Sequence, residues 1–346
     1  MDATTGKILY QKEPDLRLPP ASTTKIVTAI LTLESGRKLN DSLTVSKSAT
    51  RVPASKLYLR PGQTITIEDL LYALLLSSAN DASMVLAEGI GGSVEQFAEL
   101  MTKRARELGL SKSTFGNSNG LPDPRQLMTS RELAMLARYI IQTYPDYYKY
   151  YGEREFTWNK IRQFNRNPLL AMTIGADGLK TGFTKEAGYG LVGSAVQNDL
   201  RLIVVVNGLR SEKERAEEGK RLLEWGFHNF QPNLLFPEGQ EIAQARLYGG
   251  AKGHVPLVAG REVKLMVPRG TREKIIARVV YSGPVLAPVR QGQKIGTLKV
   301  WRAGSLVLEE PLQAAENVDT GSMSRRAFDA ASELVLGLFR AGLQRL

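Results

Sequence analysis

Helical periodicity runs through the first 230 residues of this chain and then nearly vanishes until residue 322, so no single layer arrangement can serve its whole length. In the first part, Ile26, Ala29, Ile30 and Leu33 recur at three- and four-residue spacing, which predicts an amphipathic helix opening at Ser22 and stopped by Gly36. A second helix is expected from Thr66, where Asp69 makes a partial capping box, into the apolar run Leu70 to Leu76. Further helices are expected from Asp81 to Glu88, from Val94 to Leu108, over 131–143 and over 211–226. Strands are expected at Lys7 to Tyr10, Gly188 to Val196 and Arg201 to Asn207, the last two forming a hairpin around Gln197, Asn198 and Asp199. Beyond Phe230 the triplet Gln231-Pro232-Asn233 reads as a linker. Short alternating runs follow at Glu262 to Val267, Ile275 to Tyr281, Lys294 to Val300 and Ser305 to Leu308, the pattern of a small antiparallel β sandwich. The expected organisation is α+β: a mixed domain at 1–230, a β-rich domain at 231–321 and a helical tail at 322–346.

The residue inventory narrows the chemistry. The 346 residues contain no cysteine, which removes thiol catalysis, disulfides and cysteine-ligated metals together. Only two histidines occur, His228 and His254, and neither has a neighbouring Ser, Asp or His in a pattern that suggests a base or a metal ligand. No H-E-x-x-H and no phosphate-binding G-x-x-x-x-G-K-[ST] is present. If the chain is an enzyme, Ser, Lys and carboxylates must carry its reaction. The net charge of +11 favours anionic partners, but no zinc-finger spacing, RNA-binding signature or long basic block points to nucleic acid. No apolar run reaches the roughly 20 residues needed to span a bilayer.

Ser22-Thr23-Thr24-Lys25 then becomes prominent. Residues three apart on a helix share a face, so the Lys25 amine can reach the Ser22 hydroxyl. Placed in the first turn, Ser22 would lie where unpaired backbone N–H groups favour an oxyanion. A lysine in water has a pKa of about 10.4 and is a poor base; burial and a neighbouring cation, for which Lys180 is the candidate, would lower it.

Three elements in order, Ser22-x-x-Lys25, Ser78-Ala79-Asn80 and Lys180-Thr181-Gly182, match the S-x-x-K, S-x-N and K-T-G set of penicillin-binding proteins and serine β-lactamases. Their contexts, Leu18-Pro19-Pro20-Ala21 before Ser22 and Asp177-Gly178-Leu179 before Lys180, resemble the low-molecular-mass D-alanyl-D-alanine carboxypeptidases, penicillin-binding protein 5 and its relatives. So do Phe115 to Leu121 and Asn165-Arg166-Asn167. The resemblance covers residues 1 to about 230, and the β domain and tail match the usual C-terminal extension.

It implies a β-lactamase/transpeptidase-like domain of antiparallel sheet and helices, with no metal and no cofactor. Ser22 would be the nucleophile and Lys25 its base; Ser78 would relay protons and Asn80 orient Lys25 and bind a substrate amide. Lys180 would tune the field, Thr181 meet the substrate carboxylate, and Gly182 let the substrate backbone approach. The N–H groups of Ser22 and Phe183 would form an oxyanion hole, and Arg166 would lie near the carboxylate pocket. Some relatives have His where Phe183 stands, so that imidazole is missing here. The partners implied are the peptidoglycan stem peptide and, as inhibitors, β-lactams. A β-lactamase or endopeptidase on the same scaffold is the nearest rival, but no convincing E-x-x-x-N element supplies the carboxylate that rapid deacylation needs, and the β domain and tail also argue against it. A catalytically silent wall- or membrane-binding module is the alternative from another class, against which the intact motifs speak.

In the tail, Arg326, Asp329, Glu333, Arg340 and Gln344 form one helical stripe and Phe328, Ala331, Val335, Leu338 and Leu346 another, suited to an anionic membrane interface. Met1 to Gly6 lacks the charged start and apolar stretch of a secretory signal. The implied substrate nevertheless argues for the periplasm or the outer face of the cell membrane, with a truncated or misplaced start.

Overall fold

The computed structural model describes residues 1–53 and 55–331. The chain divides into two compact units, Met1–Asn229 and Phe230–Leu346.

The first unit is built as α1 (Lys25–Glu34), β1 (Ser42–Thr44), β2 (Thr64–Thr66), α2 (Ile67–Tyr72), α3 (Asn80–Gly91), α4 (Val94–Glu107), α5 (Ser130–Thr143), α6 (Pro145–Tyr148), β3 (Glu155–Trp158), β4 (Ile161–Phe164), β5 (Ala176–Thr184), β6 (Gly188–Gln197), β7 (Leu200–Leu209) and α7 (Glu212–Asn229). Strands β5, β6 and β7 form an antiparallel sheet in that order, so β5 is an edge strand. Its second hairpin turns at Asn198 and Asp199, both at positive φ (48° and 60°), which suits the twist of a tight two-residue turn.

Helix α1 runs through the core, burying Ile26, Val27, Ala29 and Ile30 against Leu70, Leu74, Leu86 and Phe97. Each such apolar side chain contributes about 1.5–3 kcal/mol. Thr66 caps α2 by accepting the Asp69 N–H at 3.1 Å and donating to the Asp69 carboxylate at 2.7 Å. The same helix then widens into a π-helical turn over Ala73–Ser77, a rare conformation that recurs at functional sites.

Two local expectations need correction in this unit. Lys7 to Tyr10 forms no strand. The edge of β7 at Arg201–Ile203 is instead taken by residues 1–3, through Ala3 N–H to Arg201 and reciprocal Met1–Ile203 bonds of 2.8 Å. Residues 8–13 are separated from Val204–Leu209 by a groove of about 590 Å³, so they meet no strand edge to pair with. The helix expected at Ser22 begins as α1 only at Lys25, with a 3-10 turn over Ala21–Thr24 before it.

The second unit contains β8 (Phe230–Phe236), β9 (Glu241–Tyr248), β10 (His254–Ala259), β11 (Val263–Pro268), β12 (Ile275–Tyr281), β13 (Val285–Leu286), β14 (Lys294–Arg302) and β15 (Ser305–Ala314). One sheet has the order β12-β14-β15-β10-β9-β13 and the other pairs β11 with β8. Both contribute to one apolar core around Leu257, Val263, Leu265, Leu298, Val300 and Leu312. The linker expected at Gln231-Pro232-Asn233 lies inside β8, paired with Val267, Met266 and Leu265 of β11. Proline is tolerated there because β8 has a neighbour on one side only. A helix covers residues 323–331; the rest of the expected tail, with Glu333, Val335, Leu338, Arg340, Gln344 and Leu346, lies outside the described residues.

Candidate active site

The three motifs come from a 3-10 turn, a helix junction and an edge strand. Pro20, unable to continue regular structure, leads into the Ala21–Thr24 turn, with Ala21 at φ +49°. That turn presents the Ser22 hydroxyl 2.9 Å from Lys25 Nζ at the head of α1. Lys25 is 0% exposed, so its amine must find acceptors inside the protein. It donates to Asn80 Oδ1 at 2.8 Å and to the Asn119 carbonyl at 2.8 Å. Those two carbonyl oxygens can only accept. With both N–H groups of a neutral amine committed to them, the lone pair is left facing Ser22. This is the geometry a general base requires.

Asn80 opens α3 and is itself held, its N–H donating to Ser55 O at 2.7 Å and its Nδ2 to Pro53 O at 3.1 Å. Next to it, the fully buried Asp81 accepts the N–H groups of Leu57 and Leu59, tying the same segment to α3. Ser78 sits at φ +60° between the π turn and α3. Its Oγ is buried without a hydrogen-bond partner among the described residues.

The Asn119 carbonyl is presented by a turn that crowds the nucleophile. Gly120, at φ +82°, has no room for a side chain: a Cβ there would lie 1.8 Å from the Ala21 carbonyl oxygen. Gln126 secures both partners, accepting the Gly116 and Asn117 N–H groups and donating to Thr24 Oγ1 at 2.7 Å.

On β5, Lys180 and Thr181 are buried, and Lys180 Nζ donates to the Thr181 carbonyl at 3.2 Å. A Cβ on Gly182 would fall 2.9 Å from Pro20 O and 3.3 Å from Ser22 N. The glycine therefore admits the nucleophile turn itself, a demand of the protein's own packing. Phe183 is half exposed and stacks on Tyr189 at 4.2 Å.

Four cations meet here. Desolvation, then the charges of Lys180 and Arg166, hold the Lys25 amine well below the ordinary lysine range, opposed only by Asp81. Burial, with Arg166 and Arg215 adding to it, brings Lys180 down to about 7. Arg166 donates to Ser55 Oγ at 2.5 Å. Arg215 went unnoticed in the sequence because α7 reads as an ordinary charged helix. It is nonetheless buried, stands 5.5 Å over the Tyr189 ring, and leaves its Nε without a hydrogen-bond partner among the described residues. Buried guanidinium groups with open donors are suited to a carboxylate. His228 and His254, by contrast, lie at the end of α7 and in β10.

Comparison with known proteins agrees in both units. Residues 1–211 match the family described as D-alanyl-D-alanine carboxypeptidase, and residues 230–320 match the C-terminal domain of penicillin-binding protein 5. The chain is 38% identical to the D-alanyl-D-alanine carboxypeptidase DacC of Escherichia coli (strain K12) over 341 residues, covering 95% of this chain and 85% of that protein. The crystal structure of penicillin-binding protein 5 from Haemophilus influenzae is 37% identical, with a TM-score of 0.82 over 92% of this chain and 96% of that one. Penicillin-binding protein D2 from Listeria monocytogenes, solved in an ampicillin-bound form, is 31% identical, with a TM-score of 0.60 over 65% of this chain and 94% of that one.

Proposed function

The chain belongs to the D-alanyl-D-alanine carboxypeptidase family, and from that premise we propose how its own residues carry the reaction. It is a serine-type D-Ala-D-Ala carboxypeptidase, a penicillin-binding cell-wall enzyme. In our reading the unit ending at Asn229 is the catalytic domain. Neutral Lys25 takes the Ser22 proton as Ser22 Oγ attacks the carbonyl between the two D-alanines of a stem pentapeptide. The N–H groups of Ser22 and Phe183 hold the developing oxyanion. The proton on Lys25 passes by way of Ser78 to the leaving amine, D-alanine departs, and water hydrolyses the acyl-Ser22 ester. Asn80 fixes the Lys25 amine and takes a substrate amide. Thr181, Arg166 and Arg215 receive the terminal carboxylate, while Lys180 supplies the field that keeps Lys25 neutral.

One observation carries this reading: the buried Lys25 amine is clamped by two carbonyl acceptors and aimed at Ser22. β-Lactams, whose strained amide imitates the D-Ala-D-Ala bond, acylate the same hydroxyl; the ampicillin-bound relative is consistent with this. Labelled penicillin is expected to attach stably to the protein and to lose attachment by at least about 10³-fold in Ser22→Ala, with release of D-Ala from diacetyl-Lys-D-Ala-D-Ala lost in parallel. Undiminished labelling of Ser22→Ala would refute the assignment.

The substrate is outside the cytoplasm, so we place the enzyme on the extracytoplasmic side of the cell membrane, with the tail lying on an anionic membrane surface. The basic balance of +11 supports that partner. Among the described residues no helix is long and apolar enough to cross a membrane.

A further inference from the structure

The β domain covers its large apolar side chains well except at one end. Leu286, Met323 and Phe328 are 70, 80 and 74% exposed, whereas Leu234, Ile276, Val280 and Leu306 range from 37 to 51%. The first three are brought together by the backbone. Leu286 pairs with Tyr248 where β13 runs along β9. The next residue, Gly249, donates its N–H to Asp329 Oδ2 at 2.8 Å and accepts from Gly321 at 2.8 Å. In the helix over residues 323–331 every side chain except Asp329 is exposed. Over these described residues the helix packs no apolar face on its own domain.

These apolar groups protrude. A protein partner would have to be moulded around separate convex tips, whereas a fluid bilayer interface accepts them without shape complementarity. Their surroundings are mildly cationic: Lys252, Arg290, Arg325 and Arg326 stand against Glu316, Asp319 and Asp329. Lys252 pairs with Glu316 at 2.7 Å and Arg290 with Asp319 at 3.1 Å. Four cations against three carboxylates favour an anionic surface, with apolar insertion as the larger contribution.

We propose that the β13 segment inserts Leu286 into the interface of an anionic phospholipid bilayer beside residues 323–331. The β domain then has a second membrane contact besides the tail. This rests on the membrane reading of the tail given above. Two contacts fix the tilt of the domain on the surface, where one helix would leave it free to swivel.

The absence of cysteine makes the test clean. Leu286→Cys in the full chain is labelled with an environment-sensitive nitrobenzoxadiazole dye and mixed with phosphatidylethanolamine–phosphatidylglycerol vesicles. Blue-shifted, brighter emission is expected at this position. None is expected from Leu306→Cys, exposed at the start of β15 and about 26 Å along that strand from Ala314, beyond which Thr320 bridges Gly250 close to β13. Leu286→Asp should lower vesicle partition roughly tenfold while labelled penicillin still acylates at the parent rate. Co-sedimentation with a silent Leu286 label would overturn this contact and leave the tail reading standing. Equal shifts at both labelled positions would reduce the contact to non-specific adsorption and overturn it too. Failure of the parent chain to sediment with vesicles would overturn the tail reading itself.

Discussion

The two units treat charge in opposite ways. The β domain keeps its ions near water and pairs them: Lys299 with Glu309 at 2.6 Å, Lys264 with Glu262 at 2.6 Å, and its buried Glu310 with Arg261 at 2.9 Å. The unit Met1–Asn229 buries Lys25, Lys180 and Arg215 beside one another, with Asp81 and Glu212 as the carboxylates acting on them. The four orphaned buried polar atoms among the described residues, Ser78 Oγ, Tyr151 OH, Asn167 Nδ2 and Arg215 Nε, all belong to this unit. A protein tolerates such an arrangement where the cost is returned as chemistry. The β domain satisfies local rules; the first unit breaks them at the buried cations beside Ser22.

The sharpest way to break this contrast is to remove a buried charge. Lys180→Met should cut penicillin acylation by about 10²–10³-fold and yet raise the melting temperature by several degrees. The sign follows from proton linkage. Lys180 titrates near 7 in the folded protein and near about 10.4 when unfolded, so between those values the unfolded chain holds the extra proton. Stability of the parent therefore climbs with pH through that window, and its gap from the variant should narrow from pH 7 to pH 10. A lower melting temperature at pH 7, in a variant that keeps the parent's circular dichroism, would show that the buried charge is not a burden.

Arg166→Gln should have a smaller effect, about tenfold on acylation. Arg166 lowers both lysines; without it the protonated amines are less disfavoured, both pKa values rise, and the acidic limb of the acylation profile moves to higher pH. An unmoved limb would remove Arg166 from the electrostatic cluster.

Lys299→Ala, in the β domain, should change stability by less than about 1 kcal/mol because the pair it breaks is partly solvated, and acylation should not change. A drop comparable to that of a core mutation would erase the distinction between the units.

Much of the fold is legible locally. Thr66 and Asp69 announce the start of α2, Asn198-Asp199 the turn between β6 and β7, and the period-two runs after residue 262 the strands β11, β12, β14 and β15. Lys7–Tyr10 and Gln231–Asn233 mislead for one reason: whether an extended segment becomes a strand depends on a partner edge elsewhere in the chain. At Gln231–Asn233 that edge is present, and at Lys7–Tyr10 it is not.

The candidate site divides in the same way. Serine, lysine, asparagine and glycine at characteristic spacings are written in the chain, and Ser22 with Lys25 needs only one turn of backbone to meet. Sequence alone decided which groups could react and that no thiol would be among them. Only the tertiary structure decided that the Asn119 carbonyl completes the clamp on Lys25, that Gly182 makes room for the nucleophile turn, and that Arg215 from α7 joins the cationic cluster. Those facts depend on desolvation and close approach between segments many residues apart, and neither exists until the core has closed around them.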